Sequence, residues 1–420
     1  MAGSDAPAAV PVRWGRILAC ALAALLVGEA FGQAYFQIWS GQWLRSTALY
    51  LWSPYGLVRS NPAATSPQYA INANGFRDLR DYSRERRPGG VRVLLVGGSV
   101  LYSGIAETFL ESERRVDSAS TIAQFLERRL EADPVLAGVD VEVLNAAVNF
   151  NRIVEVATAY TGEYAWWDAD VVVVFGSANN FFAPASAEAV RRGEAGVRAP
   201  HPWRQDFERL ANVGSLGAWL EQGIRLAADR SALVTIGTKA AGKVLDAASA
   251  VVAARAPRQG PAPAEAGAAT VEEEARYFRD YAAVVDGLVA TARAEGQDVM
   301  FFWEHFLGDV RAVKPLSADE AWLARAVNQR ADQTAFHARM RERWLGFMRE
   351  RGLPHVDPLD RLRRETDTVF IDYLHYTRRG NAIMADEVYD ALRPIILARR
   401  EGDGAGRPLS PTAGPEPRRR

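Results

Sequence analysis

The chain has 420 residues, 48% hydrophobic and 24% charged, with a formal net charge of −1. That is enough for one large domain or two smaller ones, each with a sizeable core. The near-neutral balance gives no reason to expect a nucleic-acid partner, and the single cysteine, Cys20, excludes an internal disulfide.

Residues 17–39 are mostly apolar, interrupted by Glu29, Gln33 and Gln37. About 20 such residues cross a bilayer as a helix. Arg13 and Arg16 flank the start and favour a cytoplasmic N-terminus over residues 1–16. The reading is a transmembrane anchor with the rest of the chain on the extracytoplasmic side. The alternative is a cleaved signal peptide, for which small residues near Ala30 and Ala34 offer a cleavage site. The run of Tyr35, Phe36, Ile38 and Trp39 favours the anchor, and Glu29 weighs against it unless it pairs or lies near the interface.

Residues 40–90 read as a connector and lead-in. Trp43, Tyr50, Trp52 and Tyr55 suit a membrane interface. Asn74-Gly75 marks a turn that Ile71 and Phe76 dock on the domain, and Arg80 to Pro88 reads as a solvated face.

Val93 to Val96 form a short, β-branched, buried strand ending in Gly97-Gly98-Ser99. Residues 119–131 form an amphipathic helix with Ile122, Phe125, Leu126 and Leu130 on one face. Val139 to Leu144 is a second strand, with Asn145 to Asn151 at its end. A helix over 152–165 precedes a third strand, Asp170 to Phe175, which ends in Gly176-Ser177-Ala178-Asn179-Asn180. Strands alternating with helices imply a parallel sheet covered on both faces.

Residues 184–270 break that rhythm and read as an insertion, amphipathic around Trp203 to Leu226 and flexible over the Ala- and Pro-rich Ala247 to Ala269. The rhythm returns with a helix near 271–294, a strand at Asp298 to Trp303, one long helix over about 318–350, an extended piece near Pro354 to Val356, and a last helix over 378–399. The main domain thus spans 91–399, and 400–420 reads as a disordered tail.

Three strand ends gather Ser99, Asn149 to Asn151 and Asn179 on one edge of the sheet, where open α/β sheets bind ligands. Taken alone, Gly97-Gly98-Ser99 is an ordinary strand-to-helix turn with Ser99 as N-cap. A serine becomes a useful nucleophile only beside a base. Of His201, His305, His337, His355 and His375, only His375 has an aspartate three residues before it, Asp372. At that spacing a carboxylate reaches the imidazole within a turn and holds its tautomer. Glu304-His305 follows a strand and is a candidate for lining the same cleft, against the plainer reading of a locally bonded pair. No phosphate loop, dinucleotide fingerprint or metal-spaced Cys/His cluster is present, so neither cofactor nor metal is expected.

At these residues the chain resembles the SGNH, or GDSL-like, hydrolases. The blocks are Gly97-Gly98-Ser99, Asn145 to Phe150, Ser177 to Asn180, and Asp372-Tyr373-Leu374-His375 followed by Thr377 and Gly380-Asn381. The lead-in from Ile71 to Asp78 is similar to membrane-associated members. The resemblance covers roughly residues 69–398, the insertion apart. It implies a three-layer α/β/α sandwich with a mostly parallel, flavodoxin-like sheet. It implies Ser99 as nucleophile, His375 as base and Asp372 as its orienter, with an acyl-Ser99 intermediate. It further implies an oxyanion hole from the Ser99 N–H, the Phe150 N–H and the Asn179 amide, with Asn149, Asn180 and His305 as further cleft candidates. The expected partner is an ester on an envelope glycan or lipid, in the periplasm of a bacterial cell.

The chain departs from the family at Gly98, where aspartate is common, at Phe150 and Ser177, where glycine is usual, and at Asn180, where aspartate is usual. A backbone donor survives any non-proline residue, but phenylalanine resists positive φ and crowds a pocket. These departures keep open a second reading, a weak or inactive binding or scaffold protein on the same fold.

Overall fold

The computed structural model describes residues 14–55, 57–66, 69–103, 116–181, 223–224, 227–241, 270–326 and 331–404. His201, the Trp203 to Leu226 portion apart from Gly223 and Ile224, the Ala247 to Ala269 stretch and most of the expected tail lie outside them. The chain divides into two compact units. One comprises residues 1–50, 63–67 and 205–264, the other 51–62, 68–204 and 265–420.

The first unit is built on the helix Trp14–Ser40. Its stretch Gly15–Trp39 has a mean hydropathy of 1.8 and is long and apolar enough to cross a membrane. Residues 17–27 are exposed all round, whereas from Gly28 onward one side is packed. Glu29 is paired: its carboxylate accepts from Ser231 Oγ at 2.7 Å, Ala232 N at 3.0 Å, Leu233 N at 3.2 Å and Gln33 Nε2 at 2.9 Å. It thereby caps the apolar helix Ala232–Ala241. Close approach is possible because Gly32 lacks a side chain. A β-carbon there would stand 2.9 Å from Ala232 Cβ. Asp229 accepts from Ser46 Oγ, Thr47 N and Ala48 N.

The second unit is an α/β sandwich. Between residues 40 and 68, read as plain connector, a two-stranded ribbon pairs β1 (Tyr50–Ser53) with β2 (Leu57–Ser60). The main sheet has five parallel strands: β3 (Val91–Gly97), β4 (Val141–Asn145), β5 (Val171–Phe175), β6 (Asp298–Phe302) and β7 (His355–Val356). Their order is β4-β3-β5-β6-β7. Counted within the sheet this is the flavodoxin-like 2-1-3-4-5 winding. β3 lies between β4 and β5, Leu94 opposite both Leu144 and Val172.

Burial on both faces explains the uninterrupted apolar strands. Leu94, Val96, Val172, Val174 and Phe301 form one core with Ile153, Val156, Tyr281, Val285 and Leu288, from the helices Ile153–Ala159 and Val271–Ala294, and with Met340 and Trp344 from Ala331–Glu350. The helices Ile122–Glu131 and Arg378–Gly404 pack together on the opposite face, the first against β4 and the second against β6 and β7.

Several boundaries differ from those read off the sequence. The helix expected over 119–131 starts at Ile122, after Thr121 caps it by accepting from Gln124 N. The helix over 152–165 is α only to Ala159 and then widens to a π turn, Tyr160–Tyr164. The long helix expected over 318–350 is helical over Ala318–Ala326 and Ala331–Glu350, and the residues between lie outside the described ones. The last helix continues to Gly404, so the expected tail is helical at its start. The Arg80 to Pro88 face is anchored at several points: Tyr82 is buried and donates to Asp78 Oδ2 at 2.7 Å, Arg80 Nη2 donates to Val141 O at 2.8 Å, and Arg86 pairs with Asp170 at 3.5 Å.

Candidate active site

The site forms where β4, β3 and β5 end, at the point where the winding reverses direction. Crevices outside strand carboxyl ends open at such points. β3 runs into Gly98 and the one-turn helix Ser99–Tyr102. Gly98, not Ser99, holds the N-cap position, and no side chain caps this turn. Ser99 Oγ is therefore not spent on its own helix.

The Ser99 side chain meets His375 instead. His375 Nε2 lies 2.8 Å from Ser99 Oγ, and His375 Nδ1 lies 2.7 Å from Asp372 Oδ2. A local turn sets the imidazole in place. Asp372 Oδ1 accepts from Leu374 N and His375 N, both at 2.7 Å, and Ile371 N donates to His375 O at 2.9 Å. Three residues of spacing thus suffice for one carboxylate to fix both the backbone and the ring. Burial by itself would raise the Asp372 pKa. The adjacent His375 and the two N–H donors outweigh it and hold the carboxyl below its ordinary value. Ser99, Asp372 and His375 are all buried.

The second block is held by strand-like bonds that continue past β4. Ala146 N donates to Leu95 O and Val148 N to Gly97 O. Phe150 then adopts φ +67°. The expected resistance of phenylalanine to positive φ is overcome here, at about 1–2 kcal/mol of backbone strain. Phe150 is 45% exposed.

In the third block, Asn179 Nδ2 donates to Asn151 O at 2.9 Å. An amide carries two hydrogens, so one remains for another acceptor. Asn180 is turned away: it is buried, and its Nδ2 donates to Gly176 O at 2.6 Å. Asn149 is half-buried in the same loop. Gly98 leaves no room for a side chain. A β-carbon there would lie 2.6 Å from Asn179 Nδ2 and 2.9 Å from Asn151 O, so an aspartate does not fit this arrangement.

His305 does not join Ser99. It is buried, with Nε2 2.7 Å from Asp357 Oδ1 and Nδ1 3.5 Å from Asp309 Oδ2. Burial lowers its pKa, and the two carboxylates more than restore it, to above the ordinary value. His337, a polar helix position by sequence, is equally buried between Trp303 and Phe306, beside Asp309. This cluster is structural. No group of acidic, histidine or cysteine residues able to hold a metal occurs among the described residues.

Sequence reasoning gave Arg77 no role of its own, and it read Glu304, buried just past β6, only together with His305 as a candidate for lining the cleft. Arg77 is fully buried behind the site, with Nη1 2.5 Å from Ser118 Oγ and its guanidinium over Tyr69 and Tyr102. Its place in the lead-in block was the available signal.

No family model and no curated protein matches the chain. Solved structures do resemble it. The acetylxylan esterase Axe2 from Geobacillus stearothermophilus is 11% identical, the alignment covering 73% of this chain and 95% of that one, with a TM-score of 0.37. LAE5, an alpha/beta hydrolase enzyme from the metagenome of Lake Arreo, Spain, is 13% identical over 73% and 97%, with a TM-score of 0.36. The acetyl xylan esterase AlAXEase is 11% identical over 72% and 100%, also with a TM-score of 0.36. These neighbours are hydrolases by name.

Proposed function

We propose that this protein is a membrane-anchored serine esterase or acyltransferase of SGNH type, acting through an acyl-Ser99 intermediate. The observation that carries the reading is the continuous relay from Ser99 Oγ through His375 to Asp372, at 2.8 and 2.7 Å. Those separations are within reach for proton transfer without rearrangement.

His375 Nε2 takes the Ser99 proton as Oγ attacks the ester carbonyl carbon. Asp372, ionised and buried, stabilises the imidazolium and keeps Nε2 aimed at Ser99. Negative charge moves to the carbonyl oxygen, where the Ser99 N–H, the Phe150 N–H and the free hydrogen of the Asn179 amide receive it. Each such donor is worth about 2.7–4 kcal/mol of barrier. The tetrahedral species collapses, His375 returns the proton to the leaving alcohol, and Ser99 is left acylated. Water completes hydrolysis through the same base; a second alcohol completes transfer.

Location supports esters of cell-envelope glycans or lipids as substrates. Arg13 and Arg16 stand at the start of the apolar helix, which favours its N-terminal end in the cytoplasm and the site on the other side. Retention of the helix is favoured by its contacts: cleavage after Ala30 would remove the Glu29 carboxylate that caps Ala232–Ala241.

The test uses the full chain in detergent, assayed on short-chain aryl esters beside Ser99→Ala and labelled with a fluorophosphonate. Activity and labelling that depend on Ser99 are expected. Equal rates in both proteins, with no label on Ser99, would sink the proposal and leave the binding-protein reading.

A further inference from the structure

Glu304 stands two residues beyond β6 and has no part in the relay just described. It is 2% exposed, a rare place for a carboxylate. One of its oxygens, Oε2, accepts from Ser177 N at 2.9 Å, Ala178 N at 2.8 Å and Ser177 Oγ at 3.2 Å. Glu304 N in turn donates to Ser177 Oγ at 2.8 Å. The two residues therefore clasp each other across the ends of β5 and β6, which pair directly.

The clasped residues immediately precede Asn179. They are the turn that carries β5 into the short helix Ala178–Phe181. The same turn is held from its far side by Tyr277, whose hydroxyl donates to Asn180 O. Asn179 has little latitude of its own, with its amide bonded to Asn151 O and pressed against Gly98. A small rotation of the Ser177–Ala178 peptide would swing that amide off its line. Buried backbone N–H groups need an acceptor in any case. Here the acceptor is a side chain from the segment just past β6.

We propose that Glu304 is a positioning residue of the ester-cleaving site, fixing the Ser177–Ala178 turn so that the Asn179 amide meets the developing oxyanion. This rests on the esterase reading above. The carboxylate works through the hydrogen bonds it accepts from the Ser177–Ala178 turn. Glutamine, which presents a carbonyl oxygen at the same reach, should therefore substitute for it.

The experiment measures kcat and KM of the full chain on an aryl acetate for wild type, Glu304→Ala, Glu304→Gln, Asn179→Ala and the Glu304→Ala/Asn179→Ala pair. Glu304→Ala is expected to lower kcat by about 10- to 100-fold with KM little changed, and Glu304→Gln to restore most of it. The double variant should be no slower than Asn179→Ala, because both changes remove the same donor. Should Glu304→Ala fail to fold, Glu304→Asp takes its place in the cycle, since the shorter side chain draws the acceptor back from the Ser177 and Ala178 N–H groups while keeping a carboxylate. Losses that multiply in the double variant, or a Glu304→Ala or Glu304→Asp enzyme with wild-type kcat, would overturn the proposal. If wild type is no faster than Ser99→Ala, the esterase reading itself has failed and this inference falls with it.

Discussion

Gly98 and Asn179 approach so closely that a β-carbon on residue 98 would stand 2.6 Å from the Asn179 amide nitrogen. The two lie at the ends of adjacent strands, β3 and β5. Ser99 follows the one and the proposed oxyanion donor follows the other, so the closeness of these chain ends sets the width of the site. Gly98→Ala must push Asn179 off Asn151 O or shift the Ser99 turn. A fall in kcat of about 100-fold is expected, with Tm lowered only modestly, as read by aryl-ester kinetics and thermal melting. Wild-type kcat in the alanine variant would show that the contact relaxes freely.

Phe150 sits at φ +67°, where glycine is at ease and alanine is not. The usual order of these residues should therefore invert. Phe150→Gly is expected to be more stable than Phe150→Ala by about 1 kcal/mol in chemical denaturation. Both retain the backbone N–H, so both should keep measurable aryl esterase activity. An alanine variant as stable as the glycine variant would mean that the loop relaxes to negative φ once the ring is gone.

Asp357 is held at a pKa of about 2, against an ordinary 3.8. Burial pushes it up, but His305 and Arg341 pull it further down. A depressed carboxylate contributes stability above its unfolded pKa and loses it as pH falls through the folded one. The contribution, about 2 kcal/mol, should therefore be present at pH 7 and disappear between about pH 5 and pH 2. Denaturation of wild type and Asp357→Asn across that window should show two curves that converge toward pH 2. A constant gap between them would rule the linkage out.

Glu29 offers the two first amides of Ala232–Ala241 their acceptor. Losing a cap costs about 1 kcal/mol. Glu29→Ala should speed hydrogen exchange of the amides at residues 232–234 several-fold in the detergent-solubilised protein, while Glu29→Gln changes it less. Unaltered exchange in the alanine variant would mean that the cap contributes nothing.

Much of the fold was legible because its signals are local. Each strand of the main sheet is a short apolar run broken by small or polar residues, and a parallel buried sheet needs nothing else to be recognised. The pairing of Asp372 with His375 was legible for the same reason, as three residues fit one turn. The misplaced helix ends have equally local causes that composition hides. Thr121 takes the cap that starts one helix, and a π turn at Tyr160–Tyr164 ends another. The β1–β2 ribbon went unread because its four-residue strands alternate too briefly to show a period.

By itself, then, the sequence determined the alternation of strands and helices, the apolar N-terminal segment, and the chain order serine, aspartate, histidine. These follow from periodicity and short spacing, which a chain carries with it unfolded. The tertiary structure alone decided the rest. It brought His375 to Ser99 across 276 residues. It placed Glu304 under the Ser177 turn, 127 residues away. It turned His305 to Asp357 and away from the cleft, and set Glu29 against Ser231. It also held Phe150 in a conformation its side chain disfavours. Each of these depends on which groups are left without water and within reach once the sheet has closed, and neither condition can be read from neighbours in the chain.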